Sequence, residues 1–442
     1  MASPAKKART KSPTPAPETS AAARESTPAP ALILPTAASR ESTPAPATPA
    51  VARARESTPV PATPAAARES TPVPATPATA KERTPAPATP AVARGRTPAP
   101  ATPTAETNAP LPGSHWAEQG LPEEEEDDAD STLGSDVESS TASIGSSILR
   151  YRTMNGRTYH SDSITDSEYW GPNDEKQNEL LDIFHHAMTI LLDGRLYDAP
   201  LPKKMENAID LGTGTGLWAI DFADAFPNCN VIGTDISPIQ PSWVPPNIRF
   251  EIDDYNKEWT YKPDFFDFIH VRWLSGTVKD WLAFYKDAYR CCKPGGYIEH
   301  MDTHGTIHSD DGSIDEKVHA LGQWGPIWHE AGKRIGQVLI PAAMMESAMK
   351  EAGFVNIVVK DYKVPISPWS EDKKMNDVGL YFYAVMNQDL DGVLQFMFGK
   401  VMGWTTEEIG IYIRHLKKEM KDMSIHGYFV FRKVYGQKPV DA

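Results

Sequence analysis

Three glycines alternating with threonines, Gly212, Gly214 and Gly216 in "AIDLGTGTGLWAI", stand where a strand-like apolar run meets a helix-like one. Glycines in that place allow a tight turn and close backbone approach to a ligand, and the helix behind them offers free N–H groups. Asp210 precedes the first glycine by two residues and position 217 is Leu, so the G-x-G-x-x-G spacing of a dinucleotide loop is not met. An acid beside the loop repels phosphate and pairs with an ammonium group, so the loop suits a ligand with a charged amino-acid end.

Other residues belong to the same constellation. Asp235 ends the next strand-like run, 19 residues beyond Gly216, where a carboxylate accepts from both hydroxyls of a ribose. Asp253 and Asp254 end the following one, placed for an adenine amino group. Acids at the ends of three consecutive strands converge on the crevice where parallel sheets bind ligands. S-adenosylmethionine (SAM) matches this set; a nicotinamide oxidoreductase is disfavoured by Leu217 and Asp210. In "FDFIHVRW", His270 and Arg272 share one side of a strand. His270 suits deprotonation of an acceptor and Arg272 an anionic one; the alternative is a hydrogen-bonded core histidine and a structural arginine. His300, His304 and His308 are four apart but span Gly305 after a strand, so no metal site is expected. His185 and His186 are neighbours on a helix and point apart.

The elements that must hold these residues alternate. "NAIDLG", "NVIGTDIS", "IRFEIDD", "FDFIHVR" and "GYIEHMD" read as strands, and "GLWAIDFADAF" and "VKDWLAFYKDAYRCC" as helices. Strands separated by crossover helices predict a doubly wound parallel sheet. Asn173 or Asp174 caps an earlier helix carrying the stripe Leu180, Leu181, Phe184, Met188, Leu191, Leu192, and Gly194 suits its end. Helical regions follow around 315–352 and 371–424, with strands at 356–364 and 426–436. Thr405 and Glu408 form a capping signal. The aromatic, Met-rich run 379–404 reads as core packing, with the lining of a substrate pocket as the alternative.

"IDLGTGTGLWAIDFA", "VIGTDISPIQPSWVPPNIRFEIDD", "FDFIHVRWLSGTVKDW" and "KPGGYIEHMD" resemble the class I SAM-dependent methyltransferases, and more narrowly the fungal LaeA-like family. "YWGPNDEKQNELLDIFHH" upstream is similar to the same family, and the resemblance covers about residues 146–436. It implies a Rossmann-like α/β fold with a seven-stranded, mostly parallel sheet ordered 3-2-1-4-5-7-6, the last strand antiparallel, and helical cap insertions. It also implies that SAM is held by Asp210, Gly212, Gly214, Gly216, Asp235, Asp253 and Asp254, with Tyr159, Trp170, Asn173 and Asp174 covering the methionine end. The Asn-Pro-Pro-aromatic signature of many amide and nucleobase N-methyltransferases is absent. The family contains nuclear regulators of secondary metabolism and tailoring-type enzymes. The expectation is an active enzyme on a small-molecule or protein acceptor, or a weakly active or inactive SAM-binding scaffold in a nuclear regulatory complex.

Composition divides the chain into three. Residues 1–110 hold 23 of the 40 prolines and no Phe, Tyr or Trp, and read as a disordered Pro/Ala/Ser/Thr-rich arm. Its repeats begin at Arg24, Arg40, Arg55 and Arg68, with degenerate copies at Lys81 and Arg94, and their Thr-Pro pairs suit proline-directed phosphorylation. Residues 111–149, with ten acids and no Lys or Arg, read as an acidic disordered linker. Residues 150–442 read as the folded domain, with structure beginning near Ser146. That domain is acidic, by 42 to 31, which argues against direct nucleic-acid binding. Three cysteines suggest a reducing compartment. No secretory signal or membrane span is expected, so location is nuclear or cytoplasmic, with "KKARTK" a weak import signal.

Overall fold

A computed structural model describes residues 109–122, 150–160 and 169–442. The repeat arm up to residue 108, residues 123–149 and the expected start near Ser146 lie outside the described residues. Within the expected linker, Gly113–Gln119 form a helix, α1, rather than disordered chain. Trp116 explains the difference: its indole is fully buried against Tyr412 and His415, so one aromatic anchor offsets the poor composition around it.

A short hairpin, β1 (Arg152–Met154) and β2 (Arg157–Tyr159), precedes helix α2 (Glu175–Leu191). Asp174, and not Asn173, caps α2 by accepting from Gln177 N–H. Then come β3 (Asn207–Leu211), α3 (Leu217–Ala225), β4 (Asn230–Asp235), β5 (Ile248–Ile252), β6 (Phe266–Arg272), α4 (Trp281–Cys291) and β7 (Cys292–His308). Helix α5 (Ala320–Ile335) and α6 (Met345–Ala352) lead to β8 (Val355–Pro365). Helices α7 (Lys373–Gln388) and α8 (Leu390–Leu394), a π-helical stretch Gln395–Val401, α9 (Thr406–Lys421) and β9 (Tyr428–Gln437) finish the chain. The capping box at Thr405 and Glu408 forms as the sequence predicts.

The main sheet runs β5-β4-β3-β6-β7-β9-β8, with β9 antiparallel to both neighbours. This is the predicted order. Period-two alternation assigns its faces. Ala208, Val231 and Phe268 pack with Trp218, Ala219 and Phe222 of α3. Ile209, Ile232 and Ile269 face the other way, toward Phe284 and Ala288 of α4 and Met345 of α6. A third apolar cluster lies in the cap, built from α2, α5, α7, α9 and the far ends of β7 and β9.

Strand β7 is longer than "GYIEHMD" predicts. It continues through His308, because Met301 to Thr303 and then Ile307 pair with β9. The three spaced histidines therefore lie on a strand and do not converge. His300 is fully buried, bonded to the Tyr285 hydroxyl at 2.7 Å and to Asp302 at 3.3 Å.

Candidate functional site

At the C-terminal ends of β3, β4 and β6 a cavity opens, walled on its far side by α2. The glycine loop forms its floor. Gly212, Gly214 and Gly216 have φ of +67°, +58° and +84°, the left-handed region that disfavours any side chain. At Gly214 a Cβ would also press on Leu181 of α2 at 3.2 Å. Gly214 N–H donates to Asp235 at 2.9 Å, which locks the loop to the end of β4. Asp235 accepts Ser237 N–H at 3.0 Å as well, and burial pushes its carboxyl up to about 6.

Beneath the loop, Asp210 accepts the Thr213 hydroxyl at 2.6 Å and pairs with His270 Nδ1 at 2.7 Å. The imidazole lies flat on Trp218, ring centres 3.5 Å apart, and burial depresses its pKa to about 4. His270 is thus a neutral ring that holds Asp210 in place. Arg272, one strand repeat further, donates to His185 Nδ1 at 3.0 Å, and burial lowers its pKa to about 10. His185 Nε2 meets Asp221 at 3.0 Å, which makes His185 a neutral relay between guanidinium and carboxylate. Among the described residues, no carboxylate forms an ion pair with Arg272.

Of the residues selected from sequence, Trp170, Asn173, Asp210, Gly212, Gly214, Asp235, His270 and Arg272 line this cavity. The others stand behind its wall. Gly216 caps α3 and packs on Phe250. Asp254 accepts both N–H groups of Asn256 and so shapes a turn, and Asp253 accepts Asp254 N–H. Tyr255, between those acids and Thr277, presents its side chain to the cavity instead. Tyr159 is buried beneath the hairpin. Asp174 is taken up by Arg157, whose guanidinium also binds Asp389 at the start of α8, at 2.5 to 2.8 Å.

Gln177, His185, Ser237, Tyr255 and Trp273 also line the cavity and were not selected from sequence. The stripe reading of α2 contained a signal for two of them, since Gln177 and His185 are polar residues falling on its buried face. The observed His185 and His186 do diverge, the latter packing on Tyr381.

The donor set fits a zwitterionic nucleoside ligand. The side-chain carbonyls of Asn173 and Gln177 are buried and have no hydrogen-bond partner among the described residues, so two acceptors await donors. Asp235 supplies a carboxylate for hydroxyls, and Arg272 a guanidinium for a carboxylate.

A second cavity adjoins the first and shares Trp170 and Trp273 with it. Trp273 has φ +57°, an uncommon conformation for a bulky residue. Asp302 stabilises the turn that follows it. Its carboxylate accepts Leu274 N–H at 3.0 Å and the Ser275 hydroxyl at 2.5 Å, while Trp273 N–H bonds to Met301.

Residues 183–359 match the family model described as a methyltransferase domain. Methyltransferase pytC of Aspergillus terreus is 35% identical over 306 residues, covering 69% of this chain and 93% of that protein. The secondary metabolism regulator laeA of Aspergillus fumigatus is 31% identical over 293 residues, 65% of this chain and 76% of the relative. Protein-methionine methyltransferase laeA of Emericella nidulans is 29% identical over 297 residues, 66% and 77% respectively.

Proposed function

Because the chain belongs to the LaeA-like family of class I SAM-dependent methyltransferases, we propose that it methylates a small molecule seated in the second cavity. The observation that carries this reading is the wall common to both cavities. Trp170 and Trp273 face the cofactor side and the cap side at once, so a donor and an acceptor would meet across them. When bound, SAM would supply a methyl group on a sulfonium, which an acceptor lone pair would take in line as the carbon–sulfur bond breaks and the thioether leaves. The protein's part is proximity and orientation.

In this reading Asp235 accepts from the ribose hydroxyls, and Tyr255 lies against the purine. The carbonyls of Asn173 and Gln177 receive the ammonium group, and Arg272 the carboxylate. Asp210 and His270 hold the loop from below, so neither acts as the base. Calorimetric titration with SAM and with NADH tests the cofactor side, and binding of NADH without SAM overturns it. A screen of metabolite and protein extracts with methyl-labelled SAM tests the acceptor side. Label confined to protein overturns the small-molecule reading.

The Thr-Pro repeats favour a second reading, a nuclear regulator whose acceptor is a protein. Exclusion of the tagged chain from nuclei under conditions that induce secondary metabolism sinks it.

A further inference from the structure

The second cavity says what kind of acceptor it holds. Its walls are aromatic: Trp170, Trp273, Trp324 and Trp328 surround it, with Phe429 and Phe431 from β9. Flat rings on several sides favour a flat guest, because offset and edge-to-face stacking reward ring partners beyond simple burial. Polar side chains in the wall are already engaged. The Ser275 hydroxyl donates to Asp302, Thr303 Oγ1 accepts Gly305 N–H at 3.0 Å, and both oxygens of Asp389 are held by Arg157. Asp389 is the charged residue of this wall, and Arg157 answers its charge.

One indole is different. Trp170 Nε1 donates to Ser275 carbonyl oxygen at 3.0 Å, whereas Trp328 Nε1 is buried with no acceptor among the described residues. Trp328 itself is 8% exposed.

We infer that the acceptor is an uncharged, planar aromatic small molecule. This rests on the methyltransferase reading and names the substrate class for it. A charged acceptor would lose its hydration with no free counter-charge in the wall. A peptide would bring several backbone N–H and C=O groups to a largely apolar wall, and most would go unpaired.

The test uses the full-length chain saturated with S-adenosylhomocysteine, so that binding is measured without turnover. Calorimetry compares 2-naphthol, 6-hydroxy-2-naphthoate and an acetylated, amidated methionine-containing hexapeptide. 2-Naphthol binds, the naphthoate binds at least about tenfold more weakly, and the peptide does not bind. Trp328→Ala, which removes an aromatic wall of the cavity, weakens 2-naphthol about five- to tenfold and leaves S-adenosylhomocysteine affinity unchanged. Met386→Trp, which fills the cavity from α7, abolishes 2-naphthol binding with the same S-adenosylhomocysteine affinity. Equal or tighter binding of the naphthoate overturns the inference, as does binding of the peptide or insensitivity to both substitutions. Failure of S-adenosylhomocysteine to bind overturns the methyltransferase reading itself. Failure of 2-naphthol on the loaded protein overturns the substrate class alone.

Discussion

The cofactor cavity and the cap cavity share a wall but are built by different means. The first is made largely of backbone. Left-handed glycines, strand ends and the N–H groups of Gly214 and Ser237 set its shape, and its polar lining holds two amide carbonyls unpaired among the described residues beside a carboxylate and a guanidinium that are already hydrogen-bonded. The second is made of side-chain mass delivered by α2, α5, α7 and β9. Backbone geometry depends on particular residue types at particular positions, whereas an apolar wall can be filled by many residues from many elements.

That contrast can be broken from either side. The largest effect belongs to Gly214→Val, which forces a β-branched residue into φ +58° and its Cβ against Leu181. SAM affinity should fall more than about 100-fold, while aromatic ligands of the cap retain theirs to within a few-fold. Parallel loss of both would mean that the cavities are not independent.

Asp302→Asn probes the partition between them. It weakens the bonds that hold the Trp273 turn, so kcat for methyl transfer should drop on the order of 10- to 100-fold with little change in SAM Kd. An increase in SAM Kd matching the loss of kcat would assign Asp302 to general folding instead.

A pH series separates the cavities without mutation. Burial raises the Asp235 carboxyl to about 6, and its ionised form is the one that accepts from hydroxyls. SAM affinity should be full above pH 7 and fall as pH drops through about 6, by roughly tenfold at pH 5. Uncharged cap ligands should show no such step, and a flat SAM profile would remove Asp235 from cofactor binding.

The smallest effect on either ligand belongs to Trp116→Ala. Emptying the indole's site against Tyr412 should cost about 3–5 kcal/mol of stability in a thermal or denaturant melt. Affinity of the folded protein for SAM should stay within about twofold. A larger loss would tie α1 to the cofactor side.

The same contrast explains what was legible in the sequence. Sheet order, the glycine loop, Asp210 and Asp235 could be read because their spacing is local and chemically restrictive. The Asp253-Asp254 pair misled, since strand-end acids also make turns, and Asp254 does so through Asn256. His270 and Arg272 lie on one side of β6 as expected. Yet their surroundings depended on His185 and Trp218, far away in the chain and brought near by folding. The cap run 379–404 was legible as apolar but not as a wall, because its partners, Trp170, Trp328 and Phe431, are spread across more than 250 residues. Trp116 was hidden by the acidic, proline-rich composition around it.

Helix α1 bears on how the chain can be cut. Composition alone recommends trimming at residue 140, but that cut removes Trp116 and uncovers Tyr412 and His415 on α9. It also takes away Leu111 N–H from Gln323, beside the aromatic α5 wall of the cap. A cut at residue 108 spares all of these. In a chain trimmed at residue 108, a protease acting between residues 123 and 149 would leave a short N-terminal peptide that packs its indole on α9, a nicked chain held together by that anchor.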